Sequence, residues 1–118
     1  MFKLLVTRKP GKRPALADGC EVSRGDIIAL VDSDTIWSPD VAKHIMPYFL
    51  KPHVGGVSAQ QRVYKPKTTA QVLFDIVLWT RYNEELPFLL GTGNVINPLS
   101  GRTAFYKREA LIAKTHHK

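Results

Sequence analysis

Apolar residues fall into short unbroken runs along this chain, and the runs alternate with stretches of helical spacing. "KLLVT", residues 3–7, is apolar and β-branched towards its end, and it reads as a strand that Pro10 and Gly11 then break. Residues 13–20 predict a short helix interrupted at Gly19. "IIALV", residues 27–31, is continuously apolar rather than alternating, the pattern of a strand covered on both faces by helices. The spacing thus predicts an α/β fold: a mostly parallel sheet covered by helices, with residues 27–31 as a central strand.

Further on, "SPDVAKHIMPYFL" places Ser38 as a helix N-cap, Pro39 at the first helical position and Asp40 in the first turn. Val41, Ile45, Tyr48 and Phe49 share a face, Pro47 loosens the last turn and Pro52 stops the element. Residues 54–64, "VGGVSAQQRVY", read as a strand entered through two glycines. Residues 68–86 predict a long helix in which seven of the eight residues from 72 to 79 are apolar, with Asp75 the exception. An apolar surface that wide implies cover on more than one side, from the rest of a larger protein or from a membrane-adjacent partner.

Length and composition narrow the classes. At 118 residues the chain is one small domain, and folding removes roughly two thirds of its extended surface from water. The 44% hydrophobic and 23% charged content is that of a globular protein. Cys20, the one cysteine, has no partner for an internal disulfide and no metal-ligand spacing around it. No apolar run reaches the ~18 residues of a membrane span, and the apolar part of the start is too short for a signal peptide, so this stretch by itself is expected to be soluble or peripheral.

Charge changes the picture more. The net +7 is concentrated at the two ends: residues 1–24 carry six Lys/Arg against two acids, and residues 101–118 carry five against Glu109. Such flanks suit a phosphorylated small molecule, an anionic membrane or a nucleic acid. Nucleic acid fits least well, because no helix-long basic stripe and no aromatic-rich RNA-binding motif accompanies the charge.

The run 27–31 ends on Asp32 and Asp34, one serine apart. Ligands of helix-covered parallel sheets bind outside the carboxyl ends of strands, and side chains two apart in extended chain point the same way. Two carboxylates there can converge on one hard divalent cation that takes its other ligands from a bound diphosphate. Asp34 can equally stabilise the turn before Ser38.

In order, "KPGKR", "GDIIALVDSDTIWSPD", "VGGVSAQQRV" and "PLSGRTAFYKREAL" resemble the processive family 2 glycosyltransferases of the GT-A fold, the group of hyaluronan, chitin and cellulose synthases. The resemblance is nearest to fungal hyaluronan-synthase-like polysaccharide synthases and covers about residues 8–112. It implies a nucleotide-sugar site in which Asp32 is the first acid of the metal motif and Asp34 ligates Mn²⁺ or Mg²⁺ on the diphosphate of a UDP-sugar. Lys12 and Arg13 would lie by the nucleotide, although both also read as solvated loop charges. Ser100, Gly101 and Arg102 match the segment lining the acceptor pocket. Trp37 and Tyr106 are assigned to packing.

The same resemblance places the nucleoside-binding strand ahead of Met1. It places the acid that deprotonates the acceptor, a "QxxRW" motif and the channel-forming membrane helices beyond Lys118. Residues 1–118 accordingly read as a partial GT-A domain, an internal piece of a membrane-bound synthase facing the cytosol. Its partners would be a UDP-sugar and a growing polysaccharide, with no nucleic acid, and this piece alone would be inactive. A non-catalytic remnant that binds a nucleotide sugar, or nothing, is the rival reading, and a basic nucleic-acid-binding domain is a third.

Overall fold

The computed structural model describes residues 2–85 and 103–112. Helix α1 (Lys12–Val22) is followed by β1 (Ile27–Val31), α2 (Val41–Ile45) with a 3₁₀ turn (Met46–Leu50), β2 (Gly56–Ser58), α3 (Thr69–Thr80), β3 (Thr103–Lys107) and α4 (Arg108–Ile112). A π-helical turn, Arg81–Glu85, extends α3. An α/β arrangement is therefore present, but the sheet differs from the expected one in two respects.

First, β1 is not central among the described strands. The order is β1-β3-β2, with Ala29 and Val57 both paired to Phe105 from opposite sides. The apolar run of β1 was expected to be covered on both faces, yet Ala29 and Val31 are exposed. Burial on both faces belongs to β3, where the consecutive residues Thr103, Ala104 and Phe105 are each 2% exposed. Second, both ladders are antiparallel, which corrects the mostly parallel sheet. The reason is that β3 enters between the two earlier strands against their direction. β1 and β2 then run parallel to each other without touching, and their carboxyl ends emerge at the same edge of the sheet, beside the start of β3.

Local boundaries also moved. Residues 3–7 form no strand: Leu4 and Val6 are exposed and pair with no neighbour among the described residues. β2 covers only 56–58 of the strand expected over 54–64, because β3 offers it a short register. Helix α2 begins at Val41 with Asp40 as its N-cap, not at Ser38, whose hydroxyl donates to Asp40 Oδ1 at 3.1 Å. Gly19 sits inside α1 without breaking it. Pro47 acts as expected, converting the α-helix into a 3₁₀ turn. Thr68 starts α3 with a capping box: its Oγ1 accepts from the Gln71 amide at 3.2 Å, and Gln71 Oε1 accepts from the Thr68 amide at 3.1 Å.

Arg108 ties the far edge together, donating from Nε to the Gly25 carbonyl and from Nη2 to Ser23 Oγ, both at 2.8 Å. With Ile28, Ile45 and Leu78, the residues Ala104 and Phe105 make up the buried apolar core. Helix α3 places only Leu78 in it; Leu73, Ile76 and Val77 are all more than half exposed. The isolated chain is consequently expected to bind a hydrophobic dye or to self-associate, measured by dye fluorescence and light scattering. A monodisperse, dye-silent monomer would show that this face is covered in solution.

Candidate active site

Gly11 carries φ +123°, a conformation other residues rarely adopt, and it turns the chain directly into α1. That turn brings Lys12, the first residue of the helix, to the carboxyl end of β1, where its Nζ lies 2.6 Å from Asp32 Oδ1. The Lys12 side chain remains 58% exposed and that of Asp32 only 25%, so the cation covers one carboxylate and still faces solvent. Arg13 is exposed in the first turn of α1. The backbone amide of Thr35 bonds back to the Asp32 carbonyl at 3.1 Å, closing a turn that leaves Asp34 exposed.

Asp34 lines a cavity of about 640 Å³. Residues 34–38, leaving β1, form one part of its wall; residues 59–65, leaving β2, form another; Val41 of α2, Phe74 of α3 and Thr103 of β3 complete it. This placement follows from the sheet order, since both segments leave strands whose carboxyl ends share one edge. Trp37 packs as expected, its ring stacked on Phe105 with centroids 5.3 Å apart. It also lines the cavity and donates from Nε1 to the buried Thr103 Oγ1 at 3.2 Å, which fixes the indole.

Asp75 anchors the other wall. Its carboxylate accepts from Arg62 Nε at 2.8 Å, from Arg62 Nη2 at 2.7 Å and from the Val63 amide at 2.9 Å. The Arg62 hydrogen bonds, with the Val63 amide second, pull the carboxyl from its ordinary 3.8 down to about 2. A lowered folded-state value means that the contribution to stability is complete above about pH 4 and is lost as pH falls towards 2. Asp75→Asn should therefore melt below the wild type at pH 6 and level with it near pH 2, followed by circular dichroism. A gap unchanged between those pH values would exclude the carboxylate as its source.

Of the residues that the sequence singled out, Lys12 and Asp32 are in contact, Asp34 follows two residues on and opens on the cavity, and Arg13 adjoins Lys12 in the chain. Ser100, Gly101 and Arg102 lie outside the described residues; Thr103, directly after them in the chain, lines the cavity. Sequence reasoning missed the 59–65 wall and the Arg62–Asp75 pair. The lone acid in the apolar stretch of α3 was the available signal.

A family model, Glycosyltransferase like family 2, matches residues 3–117. The chain belongs to that family. The three strands and flanking helices among its described residues fit an incomplete α/β fold of the GT-A type. The glycosyltransferase chain is 34% identical over 118 residues to an N-acetylglucosaminyltransferase of Azorhizobium caulinodans, covering 96% of this chain and 29% of that protein. It is 32% identical over 110 residues to an N-acetylglucosaminyltransferase of Sinorhizobium fredii, covering 92% of this chain and 26% of that protein. A type 2 glycosyltransferase of Zymoseptoria tritici is 30% identical over 111 residues, with 93% of this chain and 24% of that protein covered. The chain thus spans about a quarter of the length of these curated relatives. No solved structure matches it.

Among the described residues no three His, Cys, Asp or Glu side chains gather as a closed metal cage. Asp32 and Asp34 stand two residues apart on the turn after β1, with Lys12 paired to Asp32, and their carboxylate oxygens are the donor type that Mg²⁺ or Mn²⁺ takes when phosphate oxygens and water supply its other ligands. No described helix is long and apolar enough to cross a membrane.

Proposed function

We propose that this chain is the donor-holding part of an inverting hexosyltransferase that moves a sugar from a UDP-sugar to a growing polysaccharide at a membrane. The observation that carries the reading is the Lys12–Asp32 contact at 2.6 Å with Asp34 opening on the adjoining cavity. Residues 20 positions apart in the chain thereby meet at one strand end, with the charges a metal-bound diphosphate needs.

Lys12 is placed to exchange its carboxylate for a phosphate oxygen, a charge-assisted contact that orients the diphosphate. Arg13 supplies a second cation near the nucleotide. Asp32 and Asp34 would hold the divalent cation, which when bound neutralises charge building on the departing diphosphate. The cavity between Trp37 and the 59–65 wall receives the sugar. Ser100, Gly101 and Arg102 are assigned to the acceptor. No residue of this chain is assigned as the base that deprotonates the acceptor hydroxyl, so the chain supplies the leaving-group half and transfers no sugar by itself.

The names of the relatives from Sinorhizobium fredii and Azorhizobium caulinodans make N-acetylglucosamine the first sugar to test. Isothermal calorimetry of the purified chain with UDP, with and without Mn²⁺, tests the donor site. Binding that requires Mn²⁺ and disappears in Asp32→Ala supports the reading. Equal binding with and without metal, or none, would leave a non-catalytic remnant as the better description. Formation of labelled oligosaccharide from UDP-N-acetylglucosamine by this chain alone would contradict the division of labour.

A further inference from the structure

Asp75 stands alone as a charge among the apolar residues of α3, and its side chain is only 16% exposed. A carboxylate in such a place is costly unless its oxygens are bonded, and here they accept from a guanidinium fork and a backbone amide. All three donors belong to residues 62 and 63, in the middle of the 59–65 segment. That segment has no strand or helix structure of its own, and it turns back towards α3 through Lys65, a non-glycine residue at φ +45°. Arg62, Val63, Tyr64 and Lys65 all line the cavity, whereas Asp75 stands behind them.

We propose that Asp75 is a positioning residue for sugar selection: through Arg62 and the Val63 amide it sets the 59–65 wall at the separation from Trp37 that accepts the donor's sugar ring. The inference rests on the donor-site reading above and extends it to a part of the chain that the metal motif does not reach. Lys12, Asp32 and Asp34 hold the diphosphate end from the β1 edge. Asp75 governs the wall that leaves β2. Loosening the latch should accordingly affect the sugar and spare the diphosphate, because the two ends of the donor are held by different strands. An ion pair that merely supported the fold would weaken both ends alike.

The test compares UDP with UDP-N-acetylglucosamine, each with Mn²⁺, by calorimetry on the full 118-residue chain as wild type, Asp75→Asn and Asp75→Glu. Asp75→Asn is expected to keep UDP affinity within about twofold and to lose about tenfold for UDP-N-acetylglucosamine, the scale of a displaced positioning group. Asp75→Glu, which keeps the charge and both acceptor oxygens, is expected to recover part of that loss. If Asp75→Asn does not fold, Arg62→Lys makes the same comparison, since lysine keeps the charge and loses the fork. Equal effects on the two ligands, or none, would overturn the proposal while leaving the donor site standing. A wild type that binds neither ligand would overturn the donor-site reading and this inference with it.

Discussion

On the proposed donor site, Asp34→Ala is expected to abolish divalent-cation-dependent sugar transfer in a glycosyltransferase carrying these residues, a loss of at least about 10²-fold, while leaving the fold intact. Asp34 is exposed on the turn after β1 and opens on the cavity. Removing its carboxylate takes away the oxygen ligand proposed for the diphosphate site but little packing, and substitutions at such surface positions usually shift stability by less than about 0.5 kcal/mol. Asp32→Ala has a second consequence, because it leaves Lys12 without its 2.6 Å partner. Asp34→Ala is therefore the cleaner probe. The check is initial rate against Mn²⁺ concentration beside a thermal melt. A variant that retained most of its metal-dependent rate would remove Asp34 from the ligand set.

Phe105→Ala should cost about 3–5 kcal/mol of stability, enough to unfold much of the isolated chain. Among the described residues Phe105 is the largest fully buried side chain, it occupies the middle of the central strand and it is paired with Ala29 on one side and Val57 on the other. The Trp37 ring stacks on it, so the cavity wall would loosen as the core does. Val77→Ala is the matched comparison: Val77 is 60% exposed, and its truncation should change stability by under about 0.5 kcal/mol. Urea denaturation of the two variants reads the difference. Equal midpoints would mean that the sheet centre does not hold this fold together.

Part of the local structure around the candidate site is legible in the sequence. The strand ending at Asp32 and Asp34 and the helix capped by Thr68 are local statements, and both hold because they depend on neighbours in the chain, whereas Lys12, read as a loop charge, is the first residue of α1. Burial read from one strand did not transfer. The unbroken run 27–31 carried the pattern of a central strand, yet β3, whose "TAFYK" looked less apolar, took the centre. Hydrophobic pattern reports what a strand tolerates, and pairing partners decide what it receives.

By itself the sequence determined the α/β class, the carboxylates at a strand end, the family resemblance and the apolar surplus of α3, since periodicity, turn residues and motif order are written locally. Tertiary structure alone decided that β3 runs antiparallel between β1 and β2, that Lys12 meets Asp32 from 20 residues away, and that Asp75 reaches Arg62 across 13 residues to hold one wall of the cavity. Those contacts join segments distant in the chain, and which segments meet is set by strand order and by the closure of the core, which no window of sequence contains.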